Sequence, residues 1–250
     1  RKRARIKDIE NFTGLFDKNS IKTYLDIGCG DGSLTSAIGH TLFKLKKENI
    51  IGVDVDIWAG HKHASTVDDL ITFRKIEKPG VFNVDSNSID VITINMVLHH
   101  ITNDVLEQTM SEIARCLKQN GTIFFRDHDS PNHMFDGLIN IEHGIFAVAL
   151  EQLQTGATFQ KTYYGEYRPI IHWIDLFRSF GFKQIGDTVV RKTGTRPFTV
   201  AFQKTKSNND TITNMNVSEL RSHARNMGIK EYSSLSSAGV KRAIISGRRK

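Results

Sequence analysis

Cysteine is almost missing: Cys29 and Cys116 are the only two among 250 residues. Two thiols cannot staple a small secreted scaffold, and neither stands in a metal-ligand spacing, which predicts a reducing, cytoplasmic setting. No apolar run approaches the roughly 20 residues of a membrane span, and the basic start leads into no apolar region, so no membrane association and no signal peptide are expected. The chain begins at Arg1 without Met, which predicts a piece of a longer polypeptide. Acidic residues are scarce at both ends. Residues 1–7 hold five basic groups and no acid, residues 216–250 hold eight against Glu219 and Glu231, and the body between them is −4 although the whole chain is +7. That pattern predicts an acidic core with basic ends that seek nucleic acid, a solvated arm at the N-terminus being the alternative.

What is present centres on Tyr24-Leu25-Asp26-Ile27-Gly28-Cys29-Gly30-Asp31-Gly32-Ser33. An apolar run breaks into three glycines at alternate positions and a helical pattern follows at once, which places the glycines on a strand-to-helix turn. Such a turn needs unusual dihedrals and lets backbone approach a ligand. The spacing differs from the Gly-x-Gly-x-x-Gly of dinucleotide-binding turns, and no phosphate-gripping Lys-Ser or Lys-Thr follows.

Strand and helix then alternate. Strands are expected at 22–27, 49–55, near 71–76, at 88–98 and at 122–126, with helices at 33–44, 58–70 and 104–118, the last ended by Gln119-Asn120-Gly121. Ile89 to Leu98 is nearly continuous in apolar residues, as in a central parallel strand buried on both faces. Residues 183–190 and 198–203 read as a closing antiparallel pair. The fold class expected is α/β: a Rossmann-like, doubly wound, mostly parallel seven-stranded sheet with a small helical C-terminal appendage. Ligands belong beyond the carboxyl ends of such strands. Three of those ends carry polar residues: Asp54, 22 positions after Gly32 and so placed for a ribose hydroxyl pair; Asn95 with His99-His100; and Asp127-His128-Asp129. One polar strand end is commonly a cap or turn former, whereas polar residues at each of them are not easily explained that way.

Leu25 to Gly32, Gly52-Val53-Asp54-Val55, Ile89-Asp90-Val91-Ile92 and Leu117-Lys118-Gln119-Asn120-Gly121-Thr122-Ile123 together resemble the successive motifs of class I methyltransferases that use S-adenosylmethionine, over about residues 20–204. The resemblance implies that Gly28, Gly30 and Gly32 lie against the methionine and ribose parts of the cofactor. It implies also that Asp26 shapes the loop and that Asp54 binds the ribose hydroxyls. Glu77, Asn83 and Asp85 are candidates for the adenine contact; Asp85 is kept with Asn95 in the cofactor-binding set.

The acceptor is narrowed by chemistry. Pro79, Pro131, Pro169 and Pro197 are never adjacent, which removes the Asn- or Asp-Pro-Pro-aromatic motif of adenine amino methylation. No cysteine lies at the fourth strand end to attack a pyrimidine. The lysines of ribose 2'-hydroxyl methylation are missing beside Asn95 and Asp127. Guanine N7 has a free lone pair and no proton to lose, so positioning suffices. Leu98-His99-His100 is similar to the His-Tyr pair of mRNA cap guanine-N7 methyltransferases, with His100 in the tyrosine's place, and Gly165-Glu166-Tyr167-Arg168-Pro169 is similar to that family's Glu-Tyr segment. The resemblance implies a catalytic set of His99, His100, Glu166 and Tyr167, capped RNA as partner, and a viral capping enzyme with further capping domains as parent. The same His-His pair also resembles small-molecule methyltransferases of the ubiquinone-biosynthesis type, and a non-catalytic RNA-binding module is the third reading. Tyr163, Tyr164, Tyr167 and Trp173 are candidates for a base-stacking surface, or core.

His128, Asn132, His133, Glu142 and His143 match no common ligand spacing, and no metal is expected. Residues 135–153 read as an amphipathic helix over the site. The domains expected are a basic arm at 1–19, the methyltransferase-like domain at 20–204, a linker at 205–215 containing Ser207-Asn208-Asn209-Asp210, and a basic helical module at 216–250, similar to SAP and Rho N-terminal modules.

Overall fold

The computed structural model describes residues 2–55, 67–150, 155–192, 194–205, 212, 215–230 and 232–246. Seven strands form one sheet in the order β3-β2-β1-β4-β5-β7-β6. They are β1 (Tyr24–Ile27), β2 (Ile50–Asp54), β3 (Thr72–Lys75), β4 (Ile89–Asn95), β5 (Leu117–His128), β6 (Phe182–Val190) and β7 (Pro197–Lys204). β1 to β5 run parallel, and β7 inserts antiparallel between β5 and β6. The order of winding reverses between β1 and β4, which opens a crevice at the carboxyl ends of those two strands.

The sequence runs dictate this arrangement. Every residue of β1 and of β2 is buried, because helices cover both faces and leave no side for solvent. On one face Phe82, Leu106, Met110, Ile113, Trp173 and Phe177 pack together. On the other, Phe12, Tyr24, Leu34, Ile38, Phe43 and Phe124 do so. Burying each such side chain contributes about 1.5–3 kcal/mol.

The helices are α1 (Lys2–Glu10), α2 (Ser33–Ala37), α3 (Val67–Leu70), α4 (Asn103–Cys116), α5 (His133–Gly144), α6 (Gly156–Thr162), α7 (Ile170–Ser179), α8 (Val217–Asn226) and α9 (Ser237–Ser246). The helix expected over 33–44 is α-helical only to Ala37 and continues as a wider π turn, Ile38–Leu42. Of the helix expected at 58–70, residues 67–70 are seen and 56–66 lie outside the described residues. α4 ends at Cys116, two residues early, and β5 begins immediately; Asn120, at φ 63°, lies in the register step between the Ile89–Leu117 and Val91–Thr122 pairs. The helix expected over 135–153 begins at His133 and turns into a π segment, Ile145–Leu150, with α6 following unforeseen.

Both ends pack onto the domain. Ile9 and Phe12 enter the second core cluster, and buried Asp8 pairs with Arg191 Nη2 at 2.6 Å and Arg126 Nε at 3.8 Å. Residues 1–19 therefore do not behave as a free arm along their described length. The linker residues 207–210 lie outside the described residues. Beyond them Leu220, Ala224, Val240 and Ile244 join the first core cluster, so the segment expected as an appended module shares the core of the sheet's helical layer.

Candidate active site

The cleft is built from the ends of β1, β2, β4 and β5. At its floor Asp26, buried on β1, accepts hydrogen bonds from Thr35 Oγ1 and Thr93 Oγ1, each at 2.5 Å. Tyr24 and Thr93 hydroxyls are 2.7 Å apart, extending the chain beneath it. Burial pushes the Asp26 carboxyl up to about 6; the two threonine hydroxyls oppose that shift and nearby Asp54 adds to it. Asp26 is thus a buttress of the turn.

The glycine turn rises above this floor. Gly28 N donates to Val53 O at 2.8 Å, and Gly30 N donates to Asp54 Oδ2 at 2.8 Å. Gly28, Gly30 and Gly32 all have positive φ. At Gly28 a Cβ would lie 2.2 Å from Val97 Cγ2, so side-chain absence there is a packing need; at Gly30 a Cβ would meet nothing within 4 Å among the described residues. Asp54, at the end of β2, also accepts from Val55 N at 2.7 Å. Asn95, at the end of β4, turns its buried side-chain amide to Asp26 and favours the charged form of that carboxyl.

Asp85 is not at this rim. Only Ser86, Asn87 and Ser88 separate it from Ile89, where β4 begins, so it lies at the amino edge of that strand, where its charge acts on Arg115 and Cys116 at the far end of α4. Its place before a parallel strand excludes it from the carboxyl-end crevice. Glu77, exposed just past β3, is on the correct side: its neighbour Ile76 donates its N–H to Asp54 O at 2.7 Å.

The second wall follows β4. Met96 turns at φ 58°, and a short 3-10 segment, Leu98–His100, presents two imidazoles. His99 is wholly buried, with Nδ1 2.6 Å from Asp127 Oδ1. Burial pushes the Asp127 carboxyl up, but the His99 imidazole, its hydrogen bond and His128 outweigh this and hold it below its ordinary value. A carboxylate only accepts, so His99 Nδ1 donates to Asp127, and whenever the ring is neutral its lone pair lies on Nε2. That Nε2 is buried with no partner among the described residues.

A strap, residues 163–169, closes over this wall. Glu166 N donates to His99 O at 2.8 Å, and His100 Nδ1 lies 2.8 Å from Tyr164 O. The four residues expected to be catalytic are therefore brought together. Tyr167 sits with its ring centroid 5.2 Å from that of His99, its hydroxyl bonded to that of Tyr163 and to Asn140 Oδ1 at 3.1 Å. Glu166 is already engaged: Oε2 accepts from Asn103 Nδ2 at 2.7 Å and from Tyr164 OH at 2.8 Å, and Oε1 faces buried Arg168 at 3.2 Å. Trp173 is fully buried against Phe125 and offers no stacking face, which assigns it to the core.

Two histidines dismissed on spacing join the wall. His143, from α5, and His128, from the end of β5, lie with Nε2 atoms 3.3 Å apart, and the His143 ring centroid is 5.1 Å from His99 and 5.2 Å from His100. Desolvation, then neighbouring imidazoles, push His143 down to about 3 and His100, whose edge meets solvent, to about 4. Their companions do otherwise: Asn132 caps α5, exposed His133 pairs with Asp136, and Glu142 accepts from Thr195 Oγ1 at 2.5 Å.

Residues 1–185 match the family model described as a methyltransferase domain. Among solved structures, the fold is similar to a SAM-dependent methyltransferase from Methanosarcina mazei (16% identity, 79% of this chain and 96% of that one, TM-score 0.57). It is also similar to magnesium protoporphyrin IX methyltransferase from Synechocystis, solved with bound SAH (11% identity, 82% and 83%, TM-score 0.55). A third is the PH0226 protein from Pyrococcus horikoshii (15% identity, 81% and 90%, TM-score 0.54). The chain matches none of the curated proteins. With its matched span covering most of its length and its sheet carrying the order of that fold, the chain belongs to the methyltransferase-domain family.

Proposed function

We propose that the protein transfers the methyl group of S-adenosylmethionine to an acceptor seated against the wall of His99, His100, Tyr163 and Tyr167, and that this acceptor is a hydroxyl-bearing small molecule. The residues fit the cofactor: among the described residues Gly30 leaves open the volume a Cβ would take, and Asp54 stands at the end of β2 as a ribose acceptor. Glu77 replaces Asp85 as the polar contact to adenine. When bound, S-adenosylmethionine supplies an electrophilic methyl carbon on a sulfonium. The protein's own part is to hold the turn with Asp26 and Asp54, to exclude water with the strap, and to manage the acceptor's proton.

The observation that carries the acceptor half is the buried His99–Asp127 pair with an unpartnered Nε2 lone pair. A hydroxyl is a poor nucleophile until its proton is drawn away, and an imidazole whose tautomer is fixed by a carboxylate is suited to that task. The lone pair can take the proton outright or hold an ion that acidifies the hydroxyl.

The cap reading, methylation of guanine N7, keeps one observation in its favour: Glu166 and His99, which carry the resemblance to that family, are joined by a backbone hydrogen bond of 2.8 Å. Against it, both Glu166 oxygens are occupied by Asn103, Tyr164 and Arg168, which a guanine edge would have to displace. Incubation with tritiated S-adenosylmethionine and either capped RNA, uncapped RNA or a set of phenols and quinols separates the readings. Label entering the hydroxyl compounds, and lost in His99→Ala, is expected; label entering only capped RNA would overturn the small-molecule reading.

A further inference from the structure

Four imidazoles converge from three separate parts of the chain, and the hydrogen bonds of three of them give those three one polarity. His100 Nδ1 faces the carbonyl of Tyr164 at 2.8 Å, His128 Nδ1 faces that of Thr195 at 3.3 Å, and His99 Nδ1 faces Asp127 at 2.6 Å. Carbonyl and carboxylate oxygens only accept, so in each neutral ring the proton sits on Nδ1 and the lone pair on Nε2. The remaining nitrogens thus turn lone pairs toward a shared space, and one of them, on His99, is fully buried and unpartnered among the described residues. Ligand nitrogens of His99, His100 and His143 all lie within 4.8 Å of one another. His143 Nε2, 3.3 Å from the His128 Nε2 lone pair, carries the one proton shared between those two rings, and a cation that takes its place meets nitrogen lone pairs on every side.

We propose that His99, His100 and His143 bind one divalent transition-metal ion, with His128 bordering the open fourth position. Imidazole nitrogen suits zinc and its first-row neighbours, and three protein ligands with an open position is the arrangement of catalytic rather than structural zinc. The Asp127–His99 pair and the Tyr164 carbonyl on His100 are the outer partners that orient metal-bound imidazoles. Zinc–nitrogen bonds of about 2.0–2.1 Å place ligand nitrogens roughly 3.3 Å apart in a tetrahedron, so binding draws the rings inward, most readily His100 on its solvent edge. The site rests on the acceptor reading above only for its use: an acceptor hydroxyl in the fourth position would be acidified by the ion and release its proton to solvent at the exposed His100 edge, its oxygen would bond the methyl carbon as that carbon's bond to the sulfonium sulfur breaks, and His99 would serve as a ligand in place of a proton acceptor. Sequence spacing hid it because His143 reaches the other two only through the packing of α5.

The test uses the untagged, chelator-treated 250-residue chain titrated with zinc sulfate by calorimetry, and with cobalt chloride by visible absorption. One equivalent of zinc is expected, with the intense visible bands of four-coordinate cobalt. His143→Ala should weaken zinc binding at least about 30-fold and Asp127→Asn about 10–100-fold, His128→Ala less than either, while His133→Ala, exposed on the same helix, leaves it unchanged. Unaltered circular dichroism in each variant guards against misfolding. Absence of stoichiometric zinc binding in the wild type, or equal binding in His143→Ala and His133→Ala, would overturn the site. Zinc binding without transfer to any hydroxyl compound would leave the metal site standing and remove the acceptor reading; transfer that survives chelation in a protein that binds no zinc would do the reverse.

Discussion

Gly30 N donates to Asp54 Oδ2 at 2.8 Å, tying the glycine turn after β1 to the carboxylate that ends β2. One side chain therefore shapes the turn and offers the acceptor for a ribose. Asp54→Ala should weaken S-adenosylmethionine binding by at least about 30-fold, with loss of a charge-assisted hydrogen bond worth about 1.5–3 kcal/mol included. Asp54→Asn, which keeps one carbonyl oxygen for Gly30, should fall between it and wild type in a calorimetric titration. Equal binding by all three proteins would remove the role.

Gly28 is expected to tolerate no side chain. Its φ of 71° strains any L-residue, and a Cβ would lie 2.2 Å from Val97 Cγ2. Gly28→Ala should cost about 2–4 kcal/mol, the sum of left-handed strain and overpacking. Adding Val97→Ala should return the packing part alone. Thermal unfolding of the single and double variants reads both parts.

The Asp26 carboxyl, pushed up to about 6 by burial, gives the fold a pH dependence of definite sign. Below the unfolded value near 3.8 the group is protonated in both states and its burial costs nothing. Between there and 6 the unfolded chain releases the proton first, so this group's contribution to stability falls as pH rises, by up to about 3 kcal/mol. Asp26→Asn should flatten the change in Tm between pH 4 and 6 relative to wild type. A parallel pair of profiles would contradict it.

Neither thiol should react in the native state. Cys116 is fully buried with its thiol pushed up to about 12, and Cys29 is buried and pushed higher still, by desolvation first in both. A thiol-reactive disulfide reagent should report no reaction in buffer and two groups in denaturant.

Much of the frame was legible because burial writes itself into composition. Ile89-Asp90-Val91-Ile92-Thr93-Ile94 could only be a strand covered on both faces, and Asp54, expected at the end of the second strand, stands there and accepts from Gly30 N of the turn. Asp85 misled because polarity near a strand does not reveal which end of it the residue occupies. Trp173 falls to the core, the second of the two readings its aromatic spacing allowed. His143 was invisible as a partner of His99, since their meeting depends on how α5 crosses the sheet and no local pattern encodes that crossing.

The central claim is methyl transfer from S-adenosylmethionine at this cleft to a hydroxyl acceptor managed by His99. The most direct measurement is the transfer of tritiated methyl to hydroxyl compounds by wild type, Asp54→Ala and His99→Ala, with cofactor binding measured in parallel. Label incorporation by wild type, lost in Asp54→Ala together with cofactor binding and lost in His99→Ala with cofactor binding kept, is the predicted result. Full incorporation by His99→Ala, or wild-type protein that binds no S-adenosylmethionine, would contradict it.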